Sequence, residues 1–513
     1  MGISEHWFSK DTQKIVRRAY EKDWETPIPT QMVSNGEYTP KAQTSEQAEV
    51  EYRLKQSSGE IAKKHGMSRR DFLKTASGMA AAFVAMNEVH GRIFDVNPAE
   101  AMDLEMAQAR LVAMGKQFIL DDQTHFVKDD YSFEGLLFLR QFAMGNNPEK
   151  TPWNQALVGK APALSDFHFE NYLKDVYLDS DTTIALLSNA TFDDPKNWLL
   201  SNDAATKTRD MLNKISGTRR MLTHALFWPG HPGNEEDMER SASLLKPDAW
   251  KGYTVGDPLG PSKWPWRMDD EKLAYPSYQI ADKSGIRNIA IHKGLMPDDY
   301  EKAFPTWKFA TVDDLGKCAK DWPQLNFIIY HSALRPLFDA VKANADFEKT
   351  GKLPWVEDLA AIPEKYGVNN VYGEIGSSFA MTTVTYPRMC AYMLGRLIKG
   401  LGADHVVWGT DSIWYGSPQW QIEAFRRIEI PVDMQKKFGF MPLGMADGPV
   451  KAGILGYNSA RLYNVPLTAD GRPVQNFAAD GLAQVKADYE AAGPNRSNMY
   501  YGWIRKERSA ANV

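Results

Sequence analysis

Four side chains able to do acid–base or metal chemistry recur at one kind of place. His125, His292, His331 and Asp411 each follow a short apolar run: QFIL before DDQTH, NIAI before His292, NFIIY before His331, and VVW before Gly409-Thr410-Asp411. Such runs read as strands buried on both faces. In a parallel α/β barrel the C-terminal strand ends form the rim where reactive groups gather. Taken singly, each histidine reads as a satisfied loop or core residue, and Asp411 as a helix N-cap. Taken together, three of the ten histidines and one aspartate make a nitrogen/oxygen set that suits a divalent ion such as zinc, with room for water. An ion there would lower the pKa of bound water and polarise a substrate carbonyl or carboxylate.

The elements that must position these groups alternate. Strands are expected at 117–120, 183–187, 220–228, 249–255, 288–292, 326–331, 370–374 and 406–411, with helices between them such as 203–215 and 385–401. Eight strands alternating with helices predict a (β/α)8 TIM barrel. A doubly wound sheet is the alternative, but no glycine-rich phosphate loop follows the first strand. The segment GDPLGPSKWPWRMDDE after the fourth strand is too irregular for an element and suits a lid.

The 513 residues, 43% hydrophobic and 24% charged, leave ample material for a core. A net charge of −5 with no basic block in the body of the chain gives no reason to expect nucleic acid. The two cysteines, Cys318 and Cys390, form no CxxC pair and suggest neither a thiolate site nor a disulfide framework. Residues 1–66 read as a polar extension without a core face. Residues 67–102 carry Ser68-Arg69-Arg70-Asp71-Phe72-Leu73-Lys74 before the weakly apolar TASGMAAAFVAM. This pattern reads as a twin-arginine export signal, implying the twin-arginine translocation machinery as a partner and a periplasmic or exported destination. The other reading is an ordinary helix with a basic start. The run is too short for a permanent transmembrane span. The barrel is expected over 103–465. The C-terminal extension 466–513 holds one helix, 480–492, and an aromatic-basic end, YYGWIRKE, suited to packing on the barrel or on a second copy in a homo-oligomer.

DDQTH, IAIHKGL, IIYHSALRP, VVWGTD and ILGYNSARLYNV together resemble the amidohydrolase-related proteins, in the branch that includes aminocarboxymuconate-semialdehyde decarboxylase. The resemblance covers roughly residues 117–465, with WGTD and LGYNSARLY its most specific pieces. It implies a barrel with one metal held by His125, His292 and Asp411, and with His331 as the acid/base or alternative ligand histidine. Where the family has the first histidine of an HxH pair, this chain has Gln123, whose neutral amide oxygen is the weaker ligand.

Three further residues are candidates near the substrate. Lys251 stands two residues short of the strand end where the wider superfamily places a bridging lysine, so a substrate-carboxylate contact or a solvated lysine is the expectation. Arg335, four residues past His331, could bind an anion or pair with a loop acid. Glu374 could hold a histidine tautomer or be structural. His224 reads by default as a core histidine. The leading expectation is a metal-dependent hydrolase of a small ester, lactone or amide, in which Asp411 takes the water proton and His331 acts on the leaving group. Decarboxylation of an unsaturated or aromatic acid is the nearest alternative. A non-catalytic binding protein on a degenerate barrel, motivated by Gln123, is the third.

Overall fold

The computed structural model describes residues 26–30, 43–137, 163–295, 305–334 and 340–493. Eight strands form one sheet in sequential order: β1 (Leu120–Thr124), β2 (Ile184–Leu187), β3 (Met221–Leu226), β4 (Ala249–Tyr253), β5 (Asn288–His292), β6 (Asn326–Tyr330), β7 (Val371–Glu374) and β8 (Val406–Val407). Every neighbouring pair is parallel, with registers such as Leu120↔Ile184, Trp250↔Ile289 and Gly373↔Val406. The sheet closes on itself where β8 returns to β1. Asp122 N donates to Trp408 O at 2.8 Å, Asp411 N to Gln123 O at 2.9 Å, and His125 N to Ser412 O at 2.6 Å. This is the expected (β/α)8 barrel.

Two-residue periodicity explains how the strands aim their side chains. Leu120, Ile184, Leu186, Leu222, Ala249, Ala290, Ile328 and Val407 share the interior apolar cluster. Their strand neighbours Ala185, Met221, Trp250, Ile289, Phe327 and Val406 join the outer cluster. One or two steps of two residues from the interior set lead to His224, Lys251, Tyr253, His292, Tyr330 and Asp411. The chemistry therefore stands above an apolar floor.

The C-terminal ends of β1 and β8 differ most from expectation. β1 runs through DDQT instead of stopping at Leu120, because its backbone pairs with β2 on one side and 408–412 on the other. Tertiary pairing thus overrides the low strand preference of Asp and Gln. The regular ladder of β8 ends at Val407 rather than Asp411; beyond it Gly409 and a positive φ of 59° at Asp411 turn the chain inward.

The longer helices before the barrel, among the described residues, are α1 (Ser45–Lys64), α2 (Ala76–His90) and α3 (Leu104–Met114). α1 corrects the expectation of an extension without a core face. Its buried residues include Gln47, Val50, Glu51, Leu54, Ser58, Ile61 and Ala62, a helical stripe in which polar residues fill several positions, so the hydrophobic pattern alone is faint. Thr44 closes a capping box with Gln47, and Gln47 Nε2 reaches Thr385 Oγ1 at 3.2 Å.

α2 is the apolar run of the signal-like segment, and it lies in the core. Ala80, Ala81, Ala82, Phe83, Ala85 and Met86 are buried. A β-carbon on Gly78 would sit 2.5 Å from Phe72 O, so only glycine permits that close approach. Past the helix, Asn87 Oδ1 accepts from Ile93 N and Phe94 N at 3.0 and 2.9 Å. Asp95 N donates to Arg427 O at 2.6 Å, and Glu429 N to Ile93 O at 2.7 Å. Arg69 and Arg70 stay exposed.

The later helices include α4 (Asn202–Ser216), α5 (Ala274–Ser284), α6 (Pro387–Leu401), α7 (Gln419–Arg427) and α8 (Gly481–Ala491). α8 is fastened by its cap: Asp480 accepts from Ala483 N at 2.8 Å and from Arg220 Nε at 2.6 Å. Tyr489 OH donates to Asp179 Oδ1 at 2.6 Å. The YYGWIRKE end lies outside the described residues. Among those described, no helix is long and apolar enough to cross a membrane.

Candidate active site

Asp411 meets His125 at the seam where the barrel closes. His125 Nε2 lies 3.0 Å from Asp411 Oδ1, and both side chains are buried. The other carboxylate oxygen, Oδ2, accepts from Ser377 Oγ, which in turn accepts from Tyr415 OH at 2.7 Å. Burial pushes the Asp411 carboxyl up, but the His125 bond, the charges of His125 and His331 and the Ser377 hydroxyl outweigh it. The carboxyl is held below its ordinary range. The approach needs Gly409, since a β-carbon there would lie 1.8 Å from Glu374 Oε1. Trp414 stacks on His125 with ring centroids 5.5 Å apart.

His292 and His331 form a second couple. His331 Nε2 lies 3.1 Å from His292 Nδ1. His331 Nδ1 lies 2.9 Å from Gly376 O, a carbonyl that can only accept, so Nδ1 carries the proton and Nε2 is left as the acceptor. Three successive positive φ angles, at His331, Ser332 and Ala333, swing the imidazole off the strand line. Burial pushes His331 down to about 4, with Lys251 acting in the same direction and Asp411 against it. His292 is also driven well below its ordinary value by burial, then by His331 and Lys251. Tyr253 stacks on His292 at 4.6 Å and 18°.

Glu374 supports this couple through the backbone. Its Oε2 accepts from His331 N at 3.0 Å and its Oε1 from Gly376 N. The expected tautomer-holding role falls to the Gly376 carbonyl instead. Burial raises Glu374 well above the usual carboxylate range. Lys251 lies inside the barrel beneath the rim, its Nζ 3.4 Å from the centre of the Tyr330 ring and 5.0 Å from that of Tyr253. It is buried, not a solvated lysine. His224 is a buried core histidine, with Nδ1 3.1 Å from Ser188 Oγ. Arg335 lies outside the described residues.

The cleft above these groups is narrow, about 30 Å³, with Gln123, His125 and Asp411 at its base. Its walls are Leu136, Phe192, Leu199, Tyr253 and Trp414, with Pro258 and Leu259 from the irregular segment after β4. That segment thus covers the rim, as a lid would, with Trp266 and Met268 buried as its anchors. Ser377 and the stacking role of Tyr253 are the site residues that sequence reasoning missed.

The donor set does not fit a bound divalent ion as arranged. Among the described residues, ligand atoms from no three of His125, His292, His331, Glu374 and Asp411 lie within 4.8 Å of one another. The groups meet as two couples, and Gln123 turns Nε2 toward His125 at 3.4 Å while its oxygen lies against Gly376.

No family model and no curated protein matches this chain. Solved structures do. An uncharacterised TIM-barrel protein from Bordetella bronchiseptica is 13% identical, with a TM-score of 0.43, covering 67% of this chain and 98% of its own. The 5-carboxyvanillate decarboxylase of Sphingomonas paucimobilis is 15% identical, with a TM-score of 0.38, covering 68% and 100%. A dihydroxybenzoic acid decarboxylase from Polaromonas, solved with manganese and 2-nitroresorcinol, is 15% identical, with a TM-score of 0.39, covering 68% and 97%. The barrel of this chain is read from its own closed strand order.

Proposed function

We propose that this chain is an enzyme of acid–base chemistry, a carboxy-lyase acting on a small aromatic or unsaturated carboxylic acid. The observation that carries the reading is a narrow cleft walled by Phe192, Tyr253 and Trp414, whose polar base is the His125–Asp411 pair. An apolar site strips water from a substrate carboxylate and favours a transition state in which that charge disperses. Lys251, beneath Tyr253 with its Nζ 5.0 Å from that ring, places a buried amine where it can pair with an incoming carboxylate. Protonated His125 delivers its proton to the carbon bearing the carboxylate. The carbon–carbon bond to the carboxylate then breaks, its electron pair remains with the substrate framework, and CO2 leaves. Asp411, 3.0 Å from Nε2, holds the imidazole in place.

Hydrolysis, the leading expectation from sequence, is less well supported. It asks Asp411 to take a proton from water, whereas its two oxygens are engaged by His125 and Ser377. The test is a panel of aromatic and unsaturated acids, with their esters and lactones, assayed for CO2 and for released acid. Stoichiometric CO2 is expected. Acid release without CO2 would restore the hydrolase, and binding without turnover would leave a binding protein.

A further inference from the structure

We propose that Asp129, His168 and Glu170 form a divalent-cation site at the mouth of the barrel, separate from the His125–Asp411 pair. Among the described residues this is the one group whose three ligand atoms, an imidazole nitrogen and two carboxylate oxygens, all lie within 4.8 Å of one another. The three come from two chain segments. Asp129 stands four residues beyond His125 on the loop after β1, and His168 and Glu170 flank Phe169 at the start of a one-turn helix, Phe169–Tyr172.

The segments are fastened by contacts that do not use the three ligands. Val127 N donates to Phe167 O at 2.8 Å, and the rings of Phe126 and Phe169 meet edge-on at 5.3 Å. The ligand geometry is therefore largely preformed, so a cation has little ordering left to impose. A second observation points the same way. Glu170 Oε2 is buried without a hydrogen-bond partner among the described residues, although a carboxylate oxygen removed from water ordinarily finds a donor. Two carboxylates brought this close repel, and a shared cation would satisfy both.

The donor chemistry limits the ion. Calcium prefers six to eight oxygen ligands and an imidazole is foreign to its sites. One nitrogen and two oxygens suit Mn2+ or Zn2+, with remaining positions left for water. An ion here would tie the β1 loop to the segment carrying Phe167, whose ring packs edge-on against Trp414 at 5.0 Å. Trp414 walls the cleft and stacks on His125. The site would thus position the cleft wall without touching the reacting atoms.

The test titrates Mn2+ alone into the chelator-treated full chain, read by electron paramagnetic resonance and by thermal shift. Wild type should bind one equivalent with a rise in Tm. The Asp129→Asn/Glu170→Gln double variant, nearly isosteric and relieved of the carboxylate repulsion, should melt in chelator no lower than wild type and bind at least ~10-fold more weakly, the low end even for losing an outer-shell partner of a ligand. Asp411→Asn should bind as wild type does. Binding lost in Asp411→Asn but kept in the double variant would place the ion at the barrel centre and overturn the proposal. No binding to wild type would overturn it as well. Should the double variant fail to fold, Glu170→Gln alone decides: undiminished affinity counts against the site. None of these readouts depends on catalytic activity.

Discussion

The work available to Asp411 is set by what engages its two oxygens. With His125 on one and Ser377 on the other, its charge serves the imidazole, and Asn in its place keeps the shape without the charge. Turnover of Asp411→Asn should fall by at least ~100-fold, the low end for disabling a general acid or base, with the fold intact. Near-wild-type rates in a folded Asp411→Asn protein would mean that the aspartate only shapes the turn. His125, His292 and Asp411 were legible in the sequence because each stands at or just beyond the end of a buried strand, and strand ends converge on one rim. The pairing was not. His331 leaves the strand line through three positive φ angles, and Ser377 reaches Asp411 from a loop where its own φ is 55°. Neither leaves a trace in composition or spacing. The resemblance implied three ligands around one ion, whereas the side chains meet two by two.

Among the elements, α2 has two readings that one set of variants separates. As part of the fold it contributes Phe83 and Met86 to the core, alongside Phe72 and Leu73, each worth about 1.5–3 kcal/mol when fully buried. Deleting residues 1–91 should therefore leave an unstable, aggregation-prone barrel, checked by thermal melt and size exclusion; an equally stable product would show that the helix is dispensable. As an export signal the same stretch depends on Arg69 and Arg70, whose exposure lets both become Lys without disturbing packing. Cell fractionation of Arg69→Lys/Arg70→Lys should then find folded protein retained in the cytoplasm. Undiminished export would remove that reading. The barrel strands were legible as apolar runs. α1 was not, because glutamine, glutamate and serine occupy much of its buried stripe.

At the scale of the whole molecule, the barrel depends on one seam, and Asp121 fastens it. Its Oδ1 accepts from Thr410 N at 2.9 Å and from Gln123 N at 3.2 Å, while Oδ2 meets Thr410 Oγ1 at 2.5 Å. Burial pushes the carboxyl up to about 7 from 3.8, against those bonds and with the help of Asp122. The sign follows by linkage: between these two values the folded state holds a proton that the unfolded state has lost, so unfolding free energy falls as pH rises through that window. Asp121→Asn is permanently neutral and can reproduce the pattern, its oxygen accepting both backbone N–H groups and its amide donating to the Thr410 hydroxyl. It should lack this part of the slope, so urea titrations from pH 4 to 7 should show its stability relative to wild type rising with pH. Asp121→Ala leaves Thr410 N buried without an acceptor and should cost about 1–3 kcal/mol for that group alone, at any pH. A wild-type and Asn pair that keep a constant difference across the range would show that Asp121 stays ionised in the seam.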